Sequence, residues 1–343
     1  TTAQRILNNT FKVTVHHIPP PTCLPPTSIS VNSISSNSAN LSWTTGGATN
    51  WQIQYGASGF TLGTGTVVNV NSNPFTISGL TSNTEYEFYV RDSCSAIDKS
   101  AWSTSVVATT TCSPFTAPYT SSFNGPVWDR GTSTISPGTI HDCWNRNELS
   151  YIFKVGPPQF TNTQTGSTFD HTNGNASGKF IYTEKLSFAT STDTAIIISP
   201  PIDVSPLLSP ELSFWYHMYG IDIDKLTIYV SDNNGATYTQ VGQFVGQQQN
   251  SNNDAWKESV INLSAYAGDT ILVKFEGVHL NFGISADISI DDFSIHELPP
   301  CPKPQTFSLI GVTNITASLQ WTSGGASNWQ LEYGPVGFTS GAG

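Results

Sequence analysis

At 343 residues the chain is long enough for two or three domains, each able to bury its own core. Only 11% of residues are charged, and the formal charge of -11 comes without any Lys/Arg cluster, which argues against a nucleic-acid partner because phosphate binding needs a positive surface. No apolar run approaches the length of a transmembrane helix, so no membrane span is expected in this sequence.

In chain order, residues 1–22 read as the last strand of a preceding domain, around Phe11-Lys-Val-Thr-Val15, followed by the stiff spacer Pro19-Pro-Pro21. His16-His17 fall in this tail and read as linker rather than as a ligand pair. Residues 23–111 then show short runs alternating in period two (39–43, 51–55, 75–80 and 86–90), separated by Gly, Asn and Ser. Residues 112–300 carry further alternating runs at 194–198, 212–218, 226–230 and 270–276, with no helical periodicity. Asn234-Gly235 is a hairpin turn, since both residues tolerate positive φ, and 247–254 reads as an exposed polar loop. Leu298-Pro-Pro300 is a second spacer. Residues 301–343 return to the first pattern: GGATNWQIQYGASGFTLGTG at 46–65 recurs as GGASNWQLEYGPVGFTSGAG at 324–343, and Cys23, Trp43, Trp51 and Tyr55 map without a gap onto Cys301, Trp321, Trp329 and Tyr333. The second copy stops in mid-module, so the sequence reads as part of a longer chain with neighbouring domains.

Of the five cysteines, none forms a CxxC pair or has a His at metal-ligand spacing, which argues for disulfides in an oxidising compartment rather than for zinc. Counting alone leaves the pairing open.

The repeated module resembles fibronectin type III. Trp43 stands where that family carries its core Trp on the second strand, and Leu80-Thr-Ser-Asn-Thr-Glu-Tyr86 is similar to its tyrosine corner. The WQIQYGxxGF variant resembles modules frequent in secreted Bacteroidetes proteins. The middle segment resembles a MAM domain. The stretches that carry this are Phe169-Asp-His-Thr-Asn-Gly174 with Gly178-Lys-Phe-Ile-Tyr182, then Leu212-Ser-Phe-Trp-Tyr-His-Met-Tyr-Gly220, Val273-Lys-Phe-Glu-Gly277 and Ala286-Asp-Ile-Ser-Ile-Asp-Asp-Phe293. It departs from the family in having Phe123-Asn124 for the usual Phe-Glu and in lacking two later cysteines. The resemblances imply an all-β fold: a fibronectin III-like sandwich, a MAM-like jelly roll and a partial second fibronectin III-like sandwich. They also imply the disulfides Cys23–Cys94 and Cys112–Cys143, with Cys301 left over in the incomplete copy.

A cation site is expected around Asp292. In a regular strand Ile288, Ile290 and Asp292 share a face, so inward isoleucines bring the carboxylate inward, where it is costly unless paired or bound to metal. Lys and Arg are scarce, and oxygen ligands favour Ca²⁺. Related jelly rolls build such a site from the first strand, the Asp-His turn and the closing Asp, which maps here to Asn124, Asp170 and Asp292.

Catalysis is not expected. The sequence has no GxSxG, HExxH or P-loop; His171 and His217 read as packing residues, and the acidic pairs Asp222/Asp224 and Asp291/Asp292 lack a second partner. The function expected by resemblance is non-catalytic adhesion or spacing in a large secreted or cell-surface protein. The alternative is a carbohydrate-binding accessory region of an extracellular enzyme, with Trp128, Trp144, Tyr238 and Trp256 as sugar-stacking candidates. Partners are thus a glycan or a surface protein.

Overall fold

The computed structural model describes residues 23–130, 138–141, 143–147, 151–156, 165–185, 194–280, 285–301, 304–324 and 326–339. The strand expected near residues 8–18, with His16, His17 and the Pro19-Pro-Pro21 spacer, lies outside them.

The strands in chain order are β1 (Thr27–Ile34), β2 (Ser38–Thr44), β3 (Trp51–Ala57), β4 (Thr66–Val70), β5 (Phe75–Ser78), β6 (Glu85–Asp92), β7 (Val106–Thr109), β8 (Phe115–Thr116), β9 (Tyr119–Ser121), β10 (Asn145–Arg146), β11 (Tyr151–Gly156), β12 (Phe180–Lys185), β13 (Thr194–Ile198), β14 (Ile202–Asp203), β15 (Pro210–Met218), β16 (Ile223–Ser231), β17 (Thr239–Val245), β18 (Lys257–Asn262), β19 (Thr270–His279), β20 (Ile288–Glu297), β21 (Gln305–Val312) and β22 (Ala317–Thr322). Among the described residues the only helical element is a single 3₁₀ turn, Ser264–Tyr266. The fold is all-β. Contacts divide the chain into two units, Thr1–Ser113 and Pro114–Gly343.

In the first unit β1-β2-β5 form one sheet and β4-β3-β6-β7 the other. Alternation places Ala39, Leu41 and Trp43 of β2 on the same core as Ile53, Phe88 and Val90 of the facing sheet. Trp43 and Trp51 meet edge to face at 5.4 Å. The Tyr86 hydroxyl accepts the Thr81 N–H at 3.0 Å, closing the turn before β6. Cys23 is bonded to Cys94 across a Cα–Cα distance of 5.8 Å. Cys112 and Cys143 are also disulfide-bonded, and Cys301 is free and exposed.

The β21–β22 hairpin repeats the β1–β2 hairpin in detail. Register shifts at Thr27/Ser30 and Val31/Ser33 recur at Gln305/Ser308 and Leu309/Gly311. Ser28 and Thr306 both take a positive φ, and Trp321 meets Trp329 edge to face as Trp43 meets Trp51. The sequence repeat is therefore also a repeat of backbone irregularities.

In the second unit the seven-stranded sheet runs β10-β13-β19-β14-β8 with β16 and β17 added at β19, and the six-stranded sheet runs β11-β12-β20-β15-β18 with β9 on β20. Side chains from both sheets share one core, which includes Phe214, Phe275, Phe293, Ile288 and Ile290. The β16–β17 hairpin turns at Asn234 (φ 56°) and Gly235 (φ 83°), the left-handed pair that such a turn requires.

The strand β20 sets up everything that follows. Against β15, Trp215 faces Asp291 while Ser213 faces Ser294, so β20 carries one extra residue between those pairs. This is a β-bulge, with Asp292 at φ 47°. The bulge shifts the alternation by one. Ile288 and Ile290 face the core before it, and Phe293 and Ile295 face the core after it.

Candidate functional site

The period-two argument for an inward Asp292 therefore needs correction. Its side chain is 26% exposed, whereas Asp291 is 0% exposed and lies on the outer face of the six-stranded sheet. That outer face also carries Phe180, Tyr182 and Trp215, packed with Phe169 and Trp256. The stretch 247–254, expected as an exposed loop, in part serves as cover here. Gln249 is buried: its Oε1 accepts the Met218 N–H at 2.7 Å and its Nε2 donates to the Tyr216 carbonyl at 3.3 Å, standing in for a strand neighbour where β18 has ended.

The Asp170-His171-Thr172 turn is stapled onto the bulge. Asp291 Oδ2 accepts the N–H groups of His171 (2.8 Å) and Thr172 (3.3 Å), and its Oδ1 accepts the Asp292 N–H (2.8 Å). Asp292 Oδ2 bonds His171 Nδ1 at 2.6 Å, and Oδ1 accepts the Thr172 hydroxyl at 2.8 Å. The His171 ring stacks on Trp215 at 3.8 Å. Asp170 is fully buried; its Oδ2 accepts the backbone and side-chain N–H of Asn173 (3.0 and 2.8 Å) and its Oδ1 the Asn175 N–H (3.1 Å). Gly178 is required beside it, since a Cβ there would come within 2.0 Å of the carboxyl. Asn124 ties in a third segment: its Oδ1 accepts the Lys179 N–H at 2.7 Å and its Nδ2 donates to Thr172 Oγ1 at 3.2 Å.

The structure thus brings Asn124 and Asp292 together through Thr172 and sets Asp170 in the same loop, with the oxygens of all three engaged by groups of the chain itself. Each side-chain oxygen already accepts from an N–H or O–H group. Among the described residues there is no group of three or more His, Cys, Asp or Glu able to hold a metal. Sequence reasoning named Asp291 only as half of an acidic pair and gave Arg130 and Lys179 no role, although both also serve this loop.

The sugar-stacking candidates separate. Trp128 (3% exposed) and Trp144 (3%) are core, in edge-to-face contact with each other and with Phe123. Trp256 (5%) is buried under the outer face and donates its Nε1–H to the Phe169 carbonyl. They read as surface residues in the sequence because polar turns flank them, yet aromatic side chains distant in sequence pack on them. Of the four, only Tyr238 is less than fully buried, and its half-buried ring carries Lys274 Nζ 4.8 Å from its centroid. Asp222 accepts the Ser285 N–H, and Asp224 lies 3.9 Å from Lys225 at the surface.

Burial and the charge of Asp292 push the Asp291 carboxyl up to about 8. Burial pushes His217 down to about 4. Unfolded, these groups titrate near ~3.9 and ~6.5. Folded Asp291 therefore keeps a proton that the unfolded chain releases, and stability falls as pH rises from about 4 to about 8. His217 acts in the opposite sense, costing stability as pH falls from about 6.5 to about 4. The two slopes oppose below ~6.5, so Asp291 shows alone from there to about pH 8. We expect the melting midpoint of the second unit to fall across that window and Asp291→Asn to flatten it; an unchanged slope in the variant would refute the assignment.

The fold defines a chain of β-sandwich modules whose strands pair antiparallel apart from β8 and β14. Residues 24–109 match the fibronectin type III domain family, and residues 138–302 match the MAM domain family (MAM domain, meprin/A5/mu). The chain is 31% identical over 134 residues to MAM domain-containing glycosylphosphatidylinositol anchor protein 1 of Homo sapiens, a match covering 39% of this chain and 13% of that protein. It is 29% identical over 165 residues to MAM domain-containing glycosylphosphatidylinositol anchor protein 2 of Mus musculus, covering 45% and 16%. The chain thus spans a small part of these curated relatives. Among solved structures, the FN5 domain of Drosophila Lar is 20% identical, with a TM-score of 0.24, covering 27% of this chain and all of that one. The fibronectin type III domain of human collagen alpha-1(XX) is 19% identical, with a TM-score of 0.23, covering 26% and 88%.

Proposed function

We propose that this chain is a non-catalytic adhesion and spacing region of a secreted or cell-surface protein, making contact with surface proteins through its MAM-like domain. The observation that carries this reading is the tandem of fibronectin type III and MAM modules, both typically non-catalytic, with disulfide-bonded cysteines that favour an oxidising compartment. The relatives are named as glycosylphosphatidylinositol anchor proteins, which supports a cell-surface setting. No helix among the described residues is long and apolar enough to cross a membrane. The step from modules to adhesion is an analogy of fold and family.

The carbohydrate-binding reading rests on Tyr238, the one stacking candidate that is only half-buried. The WQIQYGxxGF variant is what supports a bacterial setting; the relatives named above are mammalian. Beads coated with the chain should attach to cells, and attachment should survive enzymatic removal of surface glycans and the change Tyr238→Ala. Attachment lost in both treatments would transfer the assignment to glycan binding. No attachment at all would leave spacing alone.

A further inference from the structure

The loop that contains Asp170 is held from below by two cationic side chains. Arg130 Nη2 donates to the carbonyl oxygens of Ala176 (3.3 Å), Ser177 (2.9 Å) and Gly178. Lys179 Nζ donates to the carbonyls of Gly125 (3.2 Å) and Trp128 (2.5 Å). Two protein cations therefore gather five backbone carbonyls from two segments, and the fully buried carboxylate of Asp170 attracts the Arg130 guanidinium. Asn124, on the same segment as Gly125 and Trp128, closes the arrangement by accepting the Lys179 N–H.

Converging carbonyls beside a buried carboxylate are the ligand chemistry of a hard cation. Here the positive charge is supplied by side chains that are part of the chain, so no free ion has to be captured for the loop to close. The guanidinium is held for this contact even though its Nε–H is buried without an acceptor. The two cations also come from opposite sides of the junction: Arg130 follows Asn124 in sequence and reaches the loop, while Lys179 ends the loop and reaches back to the Gly125–Trp128 turn. Each segment thus neutralises the carbonyls of the other.

We propose that Arg130 and Lys179 are built-in cations that take the place of a calcium ion in the MAM-like domain, so that its stability is independent of calcium.

The test is thermal melting of the whole chain, following the transition of the second unit by tryptophan fluorescence, in millimolar Ca²⁺ and in chelator. The wild-type midpoint should be the same in both. Arg130→Met and Lys179→Met should each lower it by roughly 5 °C, from loss of the charge-assisted hydrogen bonds that join the two segments. Should either variant fail to fold, the charge-retaining changes Arg130→Lys and Lys179→Arg should fold and remain insensitive to calcium. A wild-type midpoint that drops in chelator overturns the proposal. So do Met variants that melt with the wild type, because the two side chains would then be bystanders.

Discussion

Replacing Trp144 by alanine is expected to destabilise the MAM-like domain by about 3–5 kcal/mol, among the largest effects a single side chain can have here. The indole touches Phe123, Trp128 and Phe293 with centroid distances of 5.5, 5.8 and 5.3 Å, all edge to face. Its Nε1–H donates to the Tyr119 hydroxyl at 3.2 Å, so the truncation leaves both a cavity among rigid rings and a polar group short of its partner. Tyr238→Ala, on a half-buried ring under Lys274, should cost only about 1 kcal/mol. Denaturant unfolding of the two variants separates a packing tryptophan from a sugar-stacking one. Trp144→Ala with native stability and lost glycan binding would reverse that assignment.

The double change Cys23→Ala/Cys94→Ala should cost the fibronectin-like unit about 2–5 kcal/mol. The disulfide joins residues 71 apart in sequence, and releasing a loop of that length returns much conformational freedom to the unfolded chain. The unit has a small core, centred on Leu41, Ile53, Phe88, Val90 and the Trp43–Trp51 pair, so the loss is a large share of its stability. Chemical unfolding of the double variant against the wild type measures it, while the second unit should melt unchanged. A first unit that unfolds at the same denaturant concentration with and without the bond would refute the expectation.

The all-β fold was legible because alternation and turn residues report strands directly, and the repeat was legible because it runs without a gap. The carboxylate site was half legible. The Asp-His-Thr turn and the closing strand do meet, but the parity argument assumed a regular strand. The warning lay in the strand itself: Ile288, Ile290, Phe293 and Ile295 step by two, then three, then two, which is the spacing an inserted residue leaves. Scarcity of Lys and Arg was a misleading guide, since composition says nothing about where Arg130 and Lys179 are placed. The buried tryptophans were illegible for a related reason. A residue beside a polar turn is exposed only if the turn leaves it so, and that depends on contacts distant in sequence.

The staple between the Asp-His-Thr turn and the β20 bulge also has a consequence in time. His171 and Thr172 meet Asp291 and Asp292 across about 120 positions of chain, and the outer-face cover at Trp256 emerges between them. During synthesis the turn leaves the ribosome well before the strand that satisfies it. Until β20 arrives, the His171 and Thr172 amides lack their Asp291 acceptor, and the Asp170 loop has only the earlier-made partners Asn124 and Arg130. Docking of the last strand is thus the step that locks the loop, and the domain belongs with slow, high-contact-order folders. A nascent chain stopped before residue 291 should present that loop to proteases that the finished domain resists.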